Sequence, residues 1–151
     1  MELQIRLAQE PDIPVLAAFE REISLISFGG EAIVDEAFHQ AKIRKALLKN
    51  NKGMFVMTAG DEIAGWLWMD PRTNSLTGET YIHFRSLYVA EAWRGNAESE
   101  RLLARGMAFG RETGAKSFVG KVHVQNLAMR ALYKNAGFKA THLTMEYDEP
   151  C

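Results

Sequence analysis

Two segments of this sequence combine residue types and spacings that could do chemistry. The first is Ser86-Leu87-Tyr88-Val89, a short loop, and then Arg94-Gly95-Asn96-Ala97-Glu98-Ser99 leading into Leu102-Leu103. A β-rich run passes here directly into a helical one. The first turn of a helix leaves backbone N–H groups unpaired at the positive end of its dipole, so small residues there let the amides close around a diphosphate. The same stretch also reads as a tight strand-to-helix turn with an exposed arginine, and alone it does not decide between the two. The second segment runs from Val122-His123 through Asn126-Leu127-Ala128 and Leu132-Tyr133 to Gly137-Phe138. Asn126 is a good helix cap and Gly137 a good helix end, whatever else they do. Tyr133, taken alone, fits an amphipathic core position with its hydroxyl at the surface.

The elements that must position these residues follow from periodicity and punctuation. Residues 3–7 read as a strand, and 11–22 as a helix in whose first turn Pro11 and Pro14 are tolerated. Phe28-Gly29-Gly30 breaks the chain before a second helical stretch at 31–49, with Val34, Ala37, Phe38 and Ala41 on its apolar side. Residues 54–59 and 63–69 form a hairpin around Gly60-Asp61-Glu62, with Trp66 and Trp68 on one face. These tryptophans and Met69 fit either a lining of an acceptor pocket or plain core, and aromatic residues on a central hairpin are more often core. Residues 79–89 are a longer, central strand, 97–113 a helix ending at Gly114, and 117–124 a strand. Residues 126–136 are a last helix and 138–147 a last strand. The alternation in the second half implies parallel strands joined by right-handed crossovers. The fold class is therefore α/β (mixed α+β): a central mixed sheet flanked by helices on both faces.

Taken together, the two segments resemble the GNAT superfamily of N-acetyltransferases. The strand, loop and helix around residues 86–103 are similar to that family's strand-loop-helix with its R/Q-x-x-G-x-G/A loop, and Asn126, Tyr133 and Gly137-Phe138 match the helix that follows it. The match is close over residues 79–147. Through residues 1–70 it is an order of elements, with the Ile5-Arg6 opening and the Gly65 strand.

The resemblance implies acetyl-CoA as acyl donor and an amine of a small molecule or peptide as acceptor. It implies that the backbone of Leu87, Tyr88 and Val89 pairs with the pantetheine arm, and that the amides of Arg94, Gly95, Asn96, Ala97, Glu98 and Ser99 hold the pyrophosphate. Asn126 then contacts the cofactor, and Tyr133 lies near the sulfur as the acid that protonates the departing thiolate. A phenol of pKa about 10 keeps its proton at neutral pH, and a thiolate of pKa about 8.5 gains from a nearby donor. The loop departs from the family pattern: Ala97 and Ser99 stand at its two glycines and Glu98 at its apolar residue. Glu98 either points to solvent, with the helix start slightly rotated, or puts a negative charge near the diphosphate and weakens binding. The general base is open among Glu79, His83, His123 and ordered water. Lys121 stands where enzymes resembling ribosomal-protein alanine N-acetyltransferases carry a glutamate, which counts against that subgroup. A non-catalytic protein of the same fold, binding acyl-CoA or a protein partner, is the alternative, and a plain structural domain ranks third.

Composition fits a globular protein in one domain over residues 1–151, since 47% of the 151 residues are apolar and 25% charged. A net charge of −1, with Lys and Arg dispersed, leaves no footprint for nucleic acid or a membrane surface. No leader-like start or long apolar run is present, so the expected location is the cytoplasm. One cysteine, Cys151, excludes an internal disulfide, and four dispersed histidines give no metal-ligand spacing. A homodimer would resemble many members of the family.

Overall fold

A computed structural model describes residues 2–95 and 97–150 of the chain. The strands are β1 (Gln4–Leu7), β2 (Met54–Ala59), β3 (Glu62–Thr73), β4 (Thr80–Val89) and β5 (Ser117–Gly120). The helices are α1 (Ile13–Phe28), α2 (Glu36–Lys49), α3 (Glu98–Glu112) and α4 (Leu127–Asn135). One five-stranded sheet has the strands in chain order, antiparallel from β1 to β4, with β5 added parallel to β4. Because β4 and β5 run the same way, they need a crossover, and α3 supplies it.

Alternation along β2 and β3 divides the core between the two faces of the sheet. Leu67, Met69, Ile82 and Phe84 meet Leu102, Leu103 and Phe109 of α3 and Leu132 and Tyr133 of α4. Val56, Trp66 and Trp68 meet Ile13, Leu16, Ala17 and Phe19 of α1 and Ile43 of α2. The sheet thus carries helices on both faces, as the alternation of elements implies.

α3 sits close to the sheet because it places glycines against it. A Cβ at Gly106 would lie 2.8 Å from Leu67, and one at Gly110 would lie 2.3 Å from the ring of Phe118. On the other face a buried carboxylate takes part in the packing: the Trp66 indole N–H donates to Glu20 at 3.0 Å, with Lys42 4.0 Å from the same carboxylate. Near the start of α1, Asp12 accepts from both Nη atoms of Arg6, at 2.8 and 2.9 Å, and from the Gln9 amide at 2.8 Å. Asp12 is buried. Burial pushes its carboxyl up, but the Arg6 guanidinium and the Gln9 amide more than offset this and hold it below the usual carboxylate range.

Several expectations need correction. α1 runs on to Phe28 rather than ending near Glu22, and β3 to Thr73 rather than Met69. α2 begins at Glu36, capped by Asp35, whose carboxylate accepts from the Ala37 amide, and it buries His39 and Ile43. Val34 and Phe38, expected on the buried side, are about half exposed. Two apolar stripes compete on this helix, and the one that meets the tryptophan side of the sheet is the one buried. β5 ends at Gly120 rather than at 124: its pairing with β4 stops there, residues 121–123 are irregular, and the chain turns at Val124 and Gln125 into α4. Residues 138–150 form no strand. The alternation of Leu143, Met145 and Tyr147 is compatible with one, but a strand requires a ladder partner and this stretch lies exposed without one.

Candidate functional site

The site begins where two parallel strands separate. β4 pairs with β5 only through the rungs Tyr81–Ser117, Ile82–Phe118, His83–Val119 and Phe84–Gly120. Beyond Phe84, β4 continues through Val89 while β5 stops, so residues 85–89 have β3 on one side and no strand on the other. The backbone groups directed to that open side are available to a ligand that lies along the strand. One is already in use, since Val89 accepts from the Arg94 side chain at 2.8 Å.

The β3–β4 ladder explains why the strands part here. Trp68 pairs with Ser86 and its neighbour Met69 pairs with Phe84, so Arg85 is the extra residue of a β-bulge. A bulge bends its strand and increases its twist. β4 therefore turns away at the position where its pairing with β5 ends.

At the last rung, the absence of a side chain at Gly120 makes room for Tyr133 of α4. A Cβ at Gly120 would lie 2.4 Å from Cζ and 2.5 Å from the hydroxyl oxygen of that tyrosine. The ring packs on Phe138 and Phe84, with centroids 4.9 and 6.3 Å away. Tyr133 is only 8% exposed, and burial pushes its phenol up to about 12. Its hydroxyl is thus protonated at neutral pH and fixed against the fork.

The expected anion cradle lies at the start of α3. Val89, Trp93, Arg94, Gly95, Ala97 and Ser99 line a pocket of about 330 Å³. The face of α4 that carries Ala128, Ala131 and Asn135 closes it. Ala97 takes the left-handed conformation, with φ 65° and ψ 12°, where a glycine would sit without strain. Glu98 also lines the pocket, and its Oε2 is buried with no hydrogen-bond partner among the described residues. The indole N–H of Trp93, in the same wall, is likewise buried and unpartnered. This donor suits a phosphate oxygen, whereas the carboxylate does not.

The expected site residues fall into three groups. Val89, Arg94, Gly95, Ala97, Glu98 and Ser99 come together in the pocket, with Leu87 and Tyr88 on the adjoining strand. Arg94 turns back toward β4, where besides its bond to Val89 its guanidinium lies 5.2 Å from the Tyr88 ring. Asn126 caps α4, its Oδ1 accepting from the Met129 amide at 3.2 Å. Asn96 lies outside the described residues. Of the candidate bases, His83 stands beside the fork. Burial and the charges of Arg72, Arg85 and Lys121 lower its pKa, against an opposing effect of Asp70. His123 is exposed and accepts from the Gln125 amide in the turn before α4. Sequence reasoning missed Trp93, Ala128, Ala131 and Asn135. The repeated small residues on one face of α4 were the available signal; Trp93 gave none.

Among the described residues no group of three or more His, Cys, Asp or Glu side chains could hold a metal ion, and no helix is long and apolar enough to cross a membrane.

Residues 18–138 match the model of the acetyltransferase (GNAT) family. No curated protein matches the sequence. Among solved structures, an acetyl transferase candidate from Pyrococcus furiosus superposes with TM-score 0.77 at 24% identity, covering 98% of this chain and 100% of that one. A possible acetyltransferase of Clostridium difficile 630 gives 0.78 at 18%, covering 100% and 99%. The aminoglycoside enzyme AAC(6')-Iy, in complex with the bisubstrate analogue CoA-S-monomethyl-acetylneamine, gives 0.77 at 16%, covering 100% of both chains. At these identities the likeness is one of fold.

Proposed function

Because the chain belongs to the acetyltransferase (GNAT) family, we propose that it is an N-acetyltransferase that moves an acetyl group from acetyl-CoA to a primary amine of a small molecule or peptide. The observation that carries this reading is the fork itself: a strand edge left open past Phe84, with a protonated tyrosine against its last rung and a pocket at the start of α3.

The residues divide the work by position. The open edge of Leu87, Tyr88 and Val89 would hold the pantetheine arm as an added strand is held. The amides of the loop from Arg94 to Ser99, together with the Trp93 indole, would hold the diphosphate. Acetyl-CoA supplies an acetyl thioester, whose carbonyl an amine attacks. A β4 amide beside the bulge would stabilise negative charge on that carbonyl oxygen, an effect commonly worth about 3 kcal/mol. Tyr133 would direct its hydroxyl at the departing sulfur. With the phenol near 12 and a free thiol near 8.5, complete transfer is uphill. The hydroxyl therefore stabilises the developing thiolate as a hydrogen-bond donor while water completes protonation. The attacking amine must also lose a proton, and His83, held neutral beside the fork, is the described histidine placed to accept it.

Calorimetry with acetyl-CoA, followed by a screen of amines for thiol release, tests the proposal. Binding at micromolar to millimolar concentration and release with at least one amine are expected. No binding at millimolar concentration would overturn the cofactor assignment.

One observation favours a second reading, a non-catalytic protein of this fold. The Glu98 side chain lines the cradle, with Oε2 buried and unpartnered among the described residues, and a carboxylate there opposes a diphosphate. Glu98→Ile discriminates. If Glu98 only opposes binding, the variant binds acetyl-CoA as well or more tightly; a clear loss of affinity in a folded variant would show that Glu98 has been recruited into the acetyl-CoA site.

A further inference from the structure

The sheet face opposite Tyr133 carries an arrangement of charge that the proposed chemistry does not use. Both arms of the fork have a cation at the first position past the last rung: Arg85 on β4 and Lys121 after β5. Arg85 is held in place. Its guanidinium lies 3.7 Å from the Trp68 ring centroid and 3.5 Å from Asp70. Arg72 reaches the same carboxylate at 3.4 Å. From α2, the Lys42 ammonium lies 5.7 Å from the Trp68 ring and 5.9 Å from that of Phe38.

Charge counting then gives a sign. Arg72, Arg85, Lys121 and Lys42 are opposed here by Asp70 and by Glu20, which is buried on the Trp66 indole. His83 adds no charge, since burial and the surrounding cations hold it neutral. The excess is positive in a chain whose net charge is −1.

We propose that the acceptor is a small amine that also carries an anionic group, a carboxylate or a phosphate, which Arg85, Lys121 and Arg72 receive on the face of the fork away from Tyr133. This rests on the N-acetyltransferase reading above and narrows it. Arg72, Arg85 and Lys121 are exposed on this face, so an acceptor that reaches the thioester from there meets the cations first. Arg85 is ordered by stacking before a ligand arrives, so little side-chain entropy is lost when its guanidinium takes an oxyanion. Polycationic amines would meet like charge at the same spot.

Thiol release from acetyl-CoA is measured with matched acceptors: an amino acid against its amide, phosphoethanolamine against ethanolamine, and spermidine. At low salt the anionic member of at least one pair is expected to exceed its neutral partner by about tenfold in kcat/KM, and the gap should shrink as salt rises from about 50 to about 500 mM. The pair that shows the larger gap distinguishes carboxylate from phosphate. Arg72→Gln combined with Lys121→Gln alters two exposed side chains and should reduce the gap to about threefold or less. Arg85→Gln, checked by thermal melting, should do the same. Neutral amines or spermidine turning over as well as the anionic ones, or a gap that survives these substitutions, would overturn the proposal alone. Release with none of the amines, despite bound acetyl-CoA, would overturn the transferase reading and this inference with it.

Discussion

The two faces of the sheet are built on opposite principles. Under α3 and α4 the contacts are apolar and close, with glycines where helix meets strand and where Tyr133 meets Gly120. Under α1 and α2 the core contains polar anchors: Asp12 on Arg6, Glu20 on Trp66, and His39, whose ring nitrogen hydrogen-bonds the Ile33 carbonyl. Close apolar packing fixes a side chain to within a few tenths of an ångström, which a proton donor requires. Buried ion pairs and hydrogen bonds are directional and sensitive to charge. On the proposed reading, position and selectivity fall to different sides of one sheet.

The strongest way to break this comparison is at Tyr133. Tyr133→Phe keeps the ring and removes one hydroxyl, so turnover should fall by about ten- to a thousandfold while acetyl-CoA affinity and melting temperature change little. Unchanged turnover with chemistry shown to be rate-limiting would remove Tyr133 from the mechanism. Gly120→Ala approaches the same group from the other side. Its methyl would collide with the phenol, so both turnover and stability should fall, the latter by about 1–3 kcal/mol.

On the opposite face the effects should appear in stability. Glu20→Ala leaves the Trp66 indole N–H buried without an acceptor and opens a void, and should cost about 2–4 kcal/mol in chemical denaturation while sparing acetyl-CoA binding. A loss of cofactor affinity in a folded Glu20→Ala protein would show that the faces are coupled.

Asp12 gives that face a pH dependence. Its carboxyl is depressed in the folded state, so its stabilising contribution is present above the ordinary carboxyl pKa of about 3.9 and is lost as pH falls through the lower, folded value. Asp12→Asn should cost about 1–2 kcal/mol at neutral pH, and the gap from the parent should close in acid unfolding below about pH 4. A gap that persists to pH 2 would remove the ion pair as its cause.

The smallest expected effect is a gain. Ala97→Gly relieves a left-handed alanine whose conformational cost of about 1–2 kcal/mol is partly cancelled by the greater chain entropy of glycine, leaving about 0.5–1 kcal/mol. The melting temperature should rise by about 1–4 °C. A fall would show that the alanine methyl makes a contact worth more than its strain.

How much of this was legible in the sequence differs along the chain. The segments around Arg94 to Ser99 and Asn126 to Phe138 could be placed from their residues, because caps, glycine ends and a strand running into a helix are local signals. The buried side of α2 could not. Val34, Ala37, Phe38 and Ala41 make one apolar stripe, while His39, Ile43 and Leu47 make another, and helical periodicity gives no reason to choose. The last strand failed for a related reason, since alternation at Leu143, Met145 and Tyr147 describes a side-chain pattern and not the partner that a ladder needs.

The sequence by itself determined the family, the order of elements up to α4 and, in the pocket loop, Arg94, Gly95, Ala97, Glu98 and Ser99 but not Trp93, all from neighbours within a few positions. Only the tertiary structure decided that β4 and β5 separate past Phe84, because a bulge at Arg85 and a stop at Gly120 lie 35 positions apart in the chain and become one feature only when the strands pair. The same holds for the cations of the fork. Lys42, Arg72, Arg85 and Lys121 are dispersed in the sequence and leave no charge run, yet the pairing of β3 with β4 and the packing of α2 on Trp68 bring them to one face. Electrostatic interaction depends on distance through space, and that distance does not exist until the chain is folded.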